Sequence, residues 1–289
     1  MCRFDREQRR GPLVAALILV ILLSACGKAN KAESPVASAL AEAQTAAKQM
    51  KKYAFEMQLD QKLSGTAETA ADIKVDMQGL VEREPLKLDQ TINTTIDGET
   101  SVVRTVIVPE GYYMYLPEYE EWSKLTPANA AENTATLSDF QVDPGQAIQD
   151  IDTLAEFASV EKDARTQIVR YEGNGTEAKA YAVTLLKSTM GLSDMDQRTQ
   201  DSLKVSKLKL TLTLDAANHW PMSYTIESEL SLELETSKVT TVQMSLSGSY
   251  SEINKSTAVT LPEAAKGALD PDQIDEQLGD DPLNLKNGQ

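Results

Sequence analysis

From Tyr53 onward the chain alternates. Tyr53, Phe55, Met57 and Leu59 are interleaved with Glu56, Gln58 and Asp60, the period of two that sends successive side chains to opposite faces of a strand. Ile73, Val75, Met77 and Val81 continue it, followed by Leu86, Leu88 and Ile92. Asp97-Gly98 is a hairpin-turn signal and leads into a strand over Val102–Val108. Pro109-Glu110-Gly111 then turns into Tyr112–Leu116, and a further turn leads to Trp122. The C-terminal third is plainest: Leu208, Leu210, Leu212 and Leu214, then Met222, Tyr224, Ile226, Leu230, Leu232 and Leu234, then Val242, Met244, Leu246 and Tyr250, all against Lys, Thr, Ser, Glu and Gln. Strands with one apolar and one polar face make an antiparallel meander; parallel strands, buried on both faces, read as continuous apolar runs.

Helical spacing interrupts this pattern in a few places. Ser34-Pro35 pairs an N-cap with a proline at the first helical position, and Val36, Leu40, Ala43, Ala47 and Met50 share one face. Lys48, Lys51 and Lys52 suit the negative end of that helix dipole. Asp143-Pro144 opens a second helix carrying Ala147, Ile148, Ile151, Leu154 and Ala155. Strands at Gln167–Tyr171 and Ala178–Leu186 are expected to flank the turn Glu172–Gly175, and a short helix is expected from Ser193. Lys207 and Lys209 are expected to pair across strands with Glu227, Glu229 or Glu233. The expected fold class is α+β: a large curved antiparallel β-sheet, a half-barrel, with an N-terminal helix and one or two short helices packed on its concave face. Residues 34–267 form that domain, and residues 268–289 an acidic, disordered tail.

The first 33 residues follow a different logic. Arginines at 3, 6, 9 and 10 precede an apolar run from Leu13 to Leu23, too short for a spanning helix of ~20 residues but suited to the apolar region of a secretory signal. Arg9-Arg10 lacks the surroundings of a twin-arginine signal. Leu23-Ser24-Ala25-Cys26 resembles the lipobox of bacterial lipoproteins, which implies cleavage before Cys26 and acylation of its thiol. The plain alternative is an ordinary signal peptide with a cysteine near the cut by chance. On the lipobox reading, residues 1–25 are a signal peptide, residues 26–33 a lipidated tether, and the domain sits at the extracytoplasmic side of the cell membrane.

Composition narrows the functions available. The net charge is −16, and removing the leader makes the remainder about −18, a surface that repels phosphate backbones and argues against nucleic-acid binding. Two cysteines, Cys2 and Cys26, leave no internal disulfide after cleavage. The single histidine, His219, lies in a turn where a structural role is expected, and no nucleophile elbow accompanies it. Ser159–Lys162 and Ser206–Lys209 match S-x-x-K in letters only. Asp270, Asp272 and Asp275 lack the glycine and terminal Glu of a calcium loop. No catalytic residue, cofactor or metal site is expected, and the protein is read as not an enzyme. Tyr112, Tyr113, Tyr115, Tyr119 and Trp122 form the densest aromatic patch, with one face expected in the core and the other a candidate contact surface.

Three stretches, Gly111–Leu116 with Glu121–Leu125, Asn218–Met222 and Leu261–Lys266, together with the lipobox and the strand opening Tyr53-Ala54-Phe55, resemble a family of uncharacterised lipoproteins from Gram-positive bacteria. The architecture is similar to that of the LolA, LppX and LprG carriers. That resemblance implies a half-barrel that shields a lipid or another hydrophobic ligand, and it transfers no ligand-contacting residue. The expected function is therefore non-enzymatic binding of a hydrophobic ligand by a membrane-anchored lipoprotein. The alternative is a protein-interaction or structural module of the cell envelope with a filled core. Cys26 is the one site residue the sequence assigns.

Overall fold

The structure is a computed structural model that describes residues 34–66, 70–189, 195–271 and 273. The signal peptide, Cys26 and the tether lie outside the described residues, as do Ser193, Asp272, Asp275 and the tail beyond residue 273.

Helix α1, Pro35–Ala47, starts where Ser34 Oγ accepts a hydrogen bond from the Ala37 N–H at 3.0 Å. Strands β1 (Lys52–Ser64), β2 (Ala71–Arg83), β3 (Leu86–Ile96), β4 (Glu99–Val108), β5 (Gly111–Leu116) and β6 (Glu121–Lys124) then run as one meander. Helices α2 (Pro127–Ala135), α3 (Asp139–Val142) and α4 (Pro144–Ile151) follow, and then β7 (Ser159–Lys162), β8 (Thr166–Gly173), α5 (Thr176–Thr189) and α6 (Gln197–Ser202). Strands β9 (Lys204–Asp215), β10 (Pro221–Glu235) and β11 (Lys238–Ser251) complete the element order, apart from short 3₁₀ turns at Asp152–Leu154 and Glu263–Ala265.

Among the described residues, eleven strands form one open antiparallel sheet in the order β6-β5-β4-β3-β2-β1-β11-β10-β9-β8-β7. The first strand pairs with the last, Leu59 facing Leu246 and Phe55 facing Tyr250, so the two meanders meet at the middle of the sheet. Period-two alternation sets the register. Met57 lies opposite Met77, Ile226 opposite Leu246, and Tyr224 opposite Leu212. A slip of one residue would turn every one of these side chains into water. The expected α+β class, with one large sheet, an N-terminal helix and several short helices, is what the structure contains.

The helices bury the apolar, inner face. The largest cluster joins Leu40, Ala43 and Ala47 of α1, Ala147, Ile148 and Ile151 of α4, and Ala178, Tyr181, Ala182 and Leu185 of α5 to the inner rows of the strands. Tyr53 meets Tyr250 edge-on at 5.6 Å, and Phe140 lies 4.3 Å from Tyr224. Arg83 ties three elements together, donating to the Ala47 carbonyl at 3.1 Å and to the Asp143 carboxylate, the α4 N-cap, at 2.7 Å.

Some expectations need correction. The stretch Ala178–Leu186 is not a strand but part of α5. Its buried residues 178, 181, 182, 185 and 186 follow the i, i+3, i+4, i+7, i+8 spacing of one helix face, which outweighs the looser alternation of alanines there. Helix α6 begins at Gln197, with Asp196 Oδ1 accepting from the Thr199 N–H at 2.7 Å. Helices α2 and α3 were not expected from the sequence. Lys207 does reach Glu227 at 3.1 Å, but Lys209 pairs with Glu172 of β8 at 3.0 Å and Glu233 lies beside Arg198. A second, smaller apolar cluster lies on the outer face. There Val106, Val108 and Tyr113 are covered by Val259 and Ala265, with Leu261 and Ala268 at its edge.

Candidate functional site

The helix layer does not fill the inner face evenly. On the side of β2 and β3, Ile73, Val75, Met77 and Ile92 are only half-buried, and Ile96 is 47% exposed. Between this part of the sheet, α3, the residues around the end of α2 and the C-terminal end of α5 lies a cavity of about 240 Å³. Its apolar wall is Met57 and Leu59 of β1, Met77 of β2, Ile92 of β3 and Leu246 of β11, with Leu137 opposite. Its polar members are Gln90, Tyr112, Asn133, Thr136, Ser138, Gln141, Ser188 and Thr189. No charged side chain lines it. A recess of about 290 Å³ adjoins it, shares Thr136, Leu137 and Ser188, and adds Asp139 and Lys187.

The roof is positioned by capping and by tyrosine hydroxyls. Thr126-Pro127 starts α2 as Ser34-Pro35 starts α1, with Thr126 Oγ1 accepting from the Asn129 N–H at 3.3 Å. Helix α3 has a capping box: the Ser138 hydroxyl accepts from the Phe140 N–H, and Gln141 Oε1 accepts from the Ser138 N–H at 3.1 Å. Two hydroxyls beneath it donate to consecutive carbonyls, Tyr250 to Phe140 at 2.6 Å and Tyr53 to Gln141 at 2.7 Å. Gln141 Nε2 donates to Gln90 Oε1 at 2.8 Å and lies 3.4 Å from Met77 Sδ. So α3 is held to the sheet by a chain of directed hydrogen bonds rather than by length.

Electrostatics at the site follow from burial. Burial raises the Tyr112 hydroxyl above its ordinary value, and does so strongly for Tyr53, Tyr181, Tyr224 and Tyr250. The Asp139 carboxyl at the start of α3 is also raised, first by burial and then by Asp150 and Asp143. An apolar wall and a neutral polar end suit an uncharged or amphipathic molecule better than an ionic one.

The residues singled out in the sequence fall as follows. Cys26 lies outside the described residues. The aromatic patch divides as alternation requires: Tyr112 and Met114 face the main core, while Tyr113 joins the outer cluster and Tyr115 stacks on Trp122 at 5.2 Å. Of the tyrosines in that patch Tyr119 is the exposed one, at 68%. His219 Nδ1, in the β9–β10 turn, sits 3.1 Å from Glu42 Oε2 of α1. Ser159 and Lys162 lie on β7 three residues apart, hence on opposite faces. Asp270 accepts from the Gln273 N–H and its own N–H donates to the Gln273 side chain, the reciprocal pair of a helix start. Among the described residues no cluster of His, Cys, Asp and Glu gathers with metal-ligand geometry, and no helix is long and apolar enough to cross a membrane.

Gln90 and Gln141 were missed by sequence reasoning. A signal was present for Gln90: it occupies the inward register position between Leu88 and Ile92, where alternation calls for an apolar residue. A polar residue out of phase on a strand marks either a satisfied core contact or a cavity wall.

Among the described residues, an open antiparallel sheet carries α1, α3, α4 and α5, and an uncharged cavity, on its inner face. The chain belongs to a family of unknown function, DUF6612, whose model matches residues 36–269. Among curated proteins none matches the chain. Solved structures similar to the chain at low identity include the following three. A β-barrel-like protein of the DUF1849 domain from Brucella abortus is 9% identical, with a TM-score of 0.21, covering 69% of this chain and 94% of that one. A putative outer membrane lipoprotein-sorting protein domain from Vibrio parahaemolyticus is 11% identical, with a TM-score of 0.21, covering 84% and 98%. A DUF1329 family protein from Desulfovibrio piger is 8% identical, with a TM-score of 0.21, covering 74% and 92%.

Proposed function

We propose that this protein is a lipoprotein, anchored to the cell membrane through lipid on Cys26, that binds a lipid or other hydrophobic ligand non-enzymatically in the inner-face cavity. The observation that carries the proposal is the cavity lined by Met57, Leu59, Met77, Ile92 and Leu246 with no charged side chain. Apolar surface of this kind gains about 25 cal/mol per Å² when a ligand removes it from water. The unbranched thioethers of Met57 and Met77 adapt to differently shaped chains. Half-buried Ile73 and Val75 extend the apolar wall beyond the cavity. The anchor rests on Leu23-Ser24-Ala25-Cys26 after an apolar run, and two or three acyl chains on that cysteine hold a protein at a bilayer.

A second reading, an envelope-interaction module, is favoured by how much of the inner face is already filled. Phe140 of α3 packs on Tyr224, which adjoins Tyr250 and through it Tyr53, all with almost no exposure. Native mass spectrometry of the protein isolated from host membranes separates the two. A stoichiometric, extractable apolar adduct supports the carrier. A clean unliganded mass that no lipid changes on titration moves the conclusion to the interaction module. Membrane fractionation of Cys26→Ser tests the anchor, which predicts loss of the protein from the membrane fraction.

A further inference from the structure

The outward face of the sheet holds a polar groove of about 520 Å³, more than twice the volume of the inner-face cavity. Along β1, β2 and β3 it is lined by the amides of Gln58, Gln78 and Asn93 and the carboxylates of Glu56 and Asp76. Four serine and threonine hydroxyls on β10 and β11 complete it. These positions alternate with residues such as Phe55, Leu59 and Ile226 that point into the core, so the groove lies on the opposite face from the helices. Among the described residues no hydrogen bond or ion pair joins one of these outward side chains to another. The adjoining rows differ, since there Lys207 is engaged by Glu227 and Lys209 by Glu172. No lysine, arginine or histidine lines the groove.

Strand register carries the groove into the aromatic patch. Ser223 lies opposite Ser249, Ser249 opposite Glu56, and Glu56 opposite Gln78. Gln78 faces Thr91, Thr91 faces Arg104, Arg104 faces Tyr115, and Tyr115 faces Trp122. One outward row therefore runs from β10 to β6, seven strand spacings or about 34 Å. At its far end the partly buried rings of Tyr115 and Trp122 lie 5.2 Å apart. Arg104 sits 5.7 Å from the Trp122 ring, its charge offset by hydrogen bonds to Asp89 at 2.9 and 2.8 Å.

Neutral donors and acceptors in a long row with an aromatic end match one chemistry. A pyranose presents C–H faces that lie against aromatic rings and a rim of hydroxyls that each donate and accept. A polyanion would find no cation in the groove and a chain of net charge −16 around it. A basic segment would find two carboxylates beside seven outward amide and hydroxyl side chains, with Arg104 across its path. We propose that this outward track binds an extended, uncharged glycan, with sugar faces on Tyr115 and Trp122 and sugar hydroxyls met by Gln78, Glu56, Gln58 and Ser249. The proposal concerns the face opposite the inner cavity and holds whether or not that cavity takes a ligand.

The test titrates the purified full chain by calorimetry with four probes of matched length. Two are uncharged, cellohexaose and the β-1,4-linked hexamer of N-acetylglucosamine; the others are hexagalacturonate, an anion, and hexalysine, a cation. Saturable binding of at least one uncharged hexamer is expected, with neither charged probe bound as tightly. Gln58→Ala and Gln78→Ala should each weaken that binding about 3- to 10-fold, the effect of one neutral hydrogen bond. If a variant fails to fold, the side-chain amide resonances of the unaltered protein give the answer. Those of Gln58, Gln78 and Asn93 should shift with the bound hexamer, while those of Gln90 and Gln141 on the inner face stay in place. Binding of neither uncharged hexamer, or tighter binding of hexalysine, overturns the proposal, the latter in favour of a basic polypeptide segment. Shifts confined to Gln90 and Gln141, or unchanged affinity in both folded variants, also overturn it.

Discussion

Replacing Tyr250 by Phe removes one oxygen from the core and changes almost nothing else in shape. That oxygen donates to the Phe140 carbonyl at 2.6 Å, deep between the sheet and α3. Its loss leaves a buried carbonyl without its donor, which costs about 1–3 kcal/mol. For a domain of this size each 1 kcal/mol moves the thermal midpoint by roughly 2–4 °C, so a fall of about 2–12 °C is expected. Tyr53→Phe removes the neighbouring bond, at 2.7 Å to the Gln141 carbonyl, and should cost a similar amount. The double variant is the informative one. Both hydroxyls hold the same four-residue helix, Asp139–Val142, so once one bond is lost and α3 loosens, losing the second should cost less than it does alone. Urea unfolding gives the stabilities, and amide exchange over residues 138–142 shows whether the roof of the cavity opens. Unchanged midpoints in both single variants, or strictly additive losses with no faster exchange at α3, would refute the claim that these hydroxyls hold the roof.

Other outcomes follow from the same packing. The raised Tyr53, Tyr181, Tyr224 and Tyr250 contribute stability that is fully present below about pH 10, the ordinary value for tyrosine. It is lost as pH rises towards the folded values, by roughly 1.4 kcal/mol per pH unit for each. Urea midpoints measured from pH 8 to 11.5 should fall steeply above pH 10, and a flat profile contradicts the burial. Gly79→Ala would bring a Cβ to 2.5 Å from the Asp89 carbonyl oxygen and 2.9 Å from Phe55. It should destabilise by about 1–3 kcal/mol in the same assay. Asp139→Asn should raise the thermal midpoint slightly at pH 7, because burial already disfavours the charge there. The gain should vanish as the pH falls through the raised Asp139 value and the carboxyl protonates.

Much of the sheet was legible because alternation is a direct record of which residues face inward. The rows Tyr53–Leu59, Leu208–Leu214 and Val242–Tyr250 needed no knowledge of their partners. The caps at Ser34-Pro35 and Asp143-Pro144 were legible for a similar reason, since each satisfies local backbone donors. Helix α5 was misread because Ala178, Ala180 and Ala182 alternate as well as recur, and small residues carry little pattern. Helix α2 buries no residue at all, so no amphipathic stripe existed to find, only the cap Thr126-Pro127. The cavity was out of reach for a deeper reason. Met57, Ile92, Leu137 and Ser188 come from four separate parts of the chain and meet only through register and helix docking. Gln90 alone left a trace, as a polar residue on an apolar row.

The most direct test of the account is a titration of the protein, labelled at the methionine methyl groups, with a medium-chain acyl ester and observed by NMR. Met57 and Met77 line the cavity, whereas Met222 is 36% exposed at a strand start away from it. Saturable shifts of the Met57 and Met77 methyls, with Met222 unmoved, are the result predicted. Shifts confined to Met222, or none at any methionine up to the solubility limit of the ester, would contradict the claim that this face of the sheet receives a ligand.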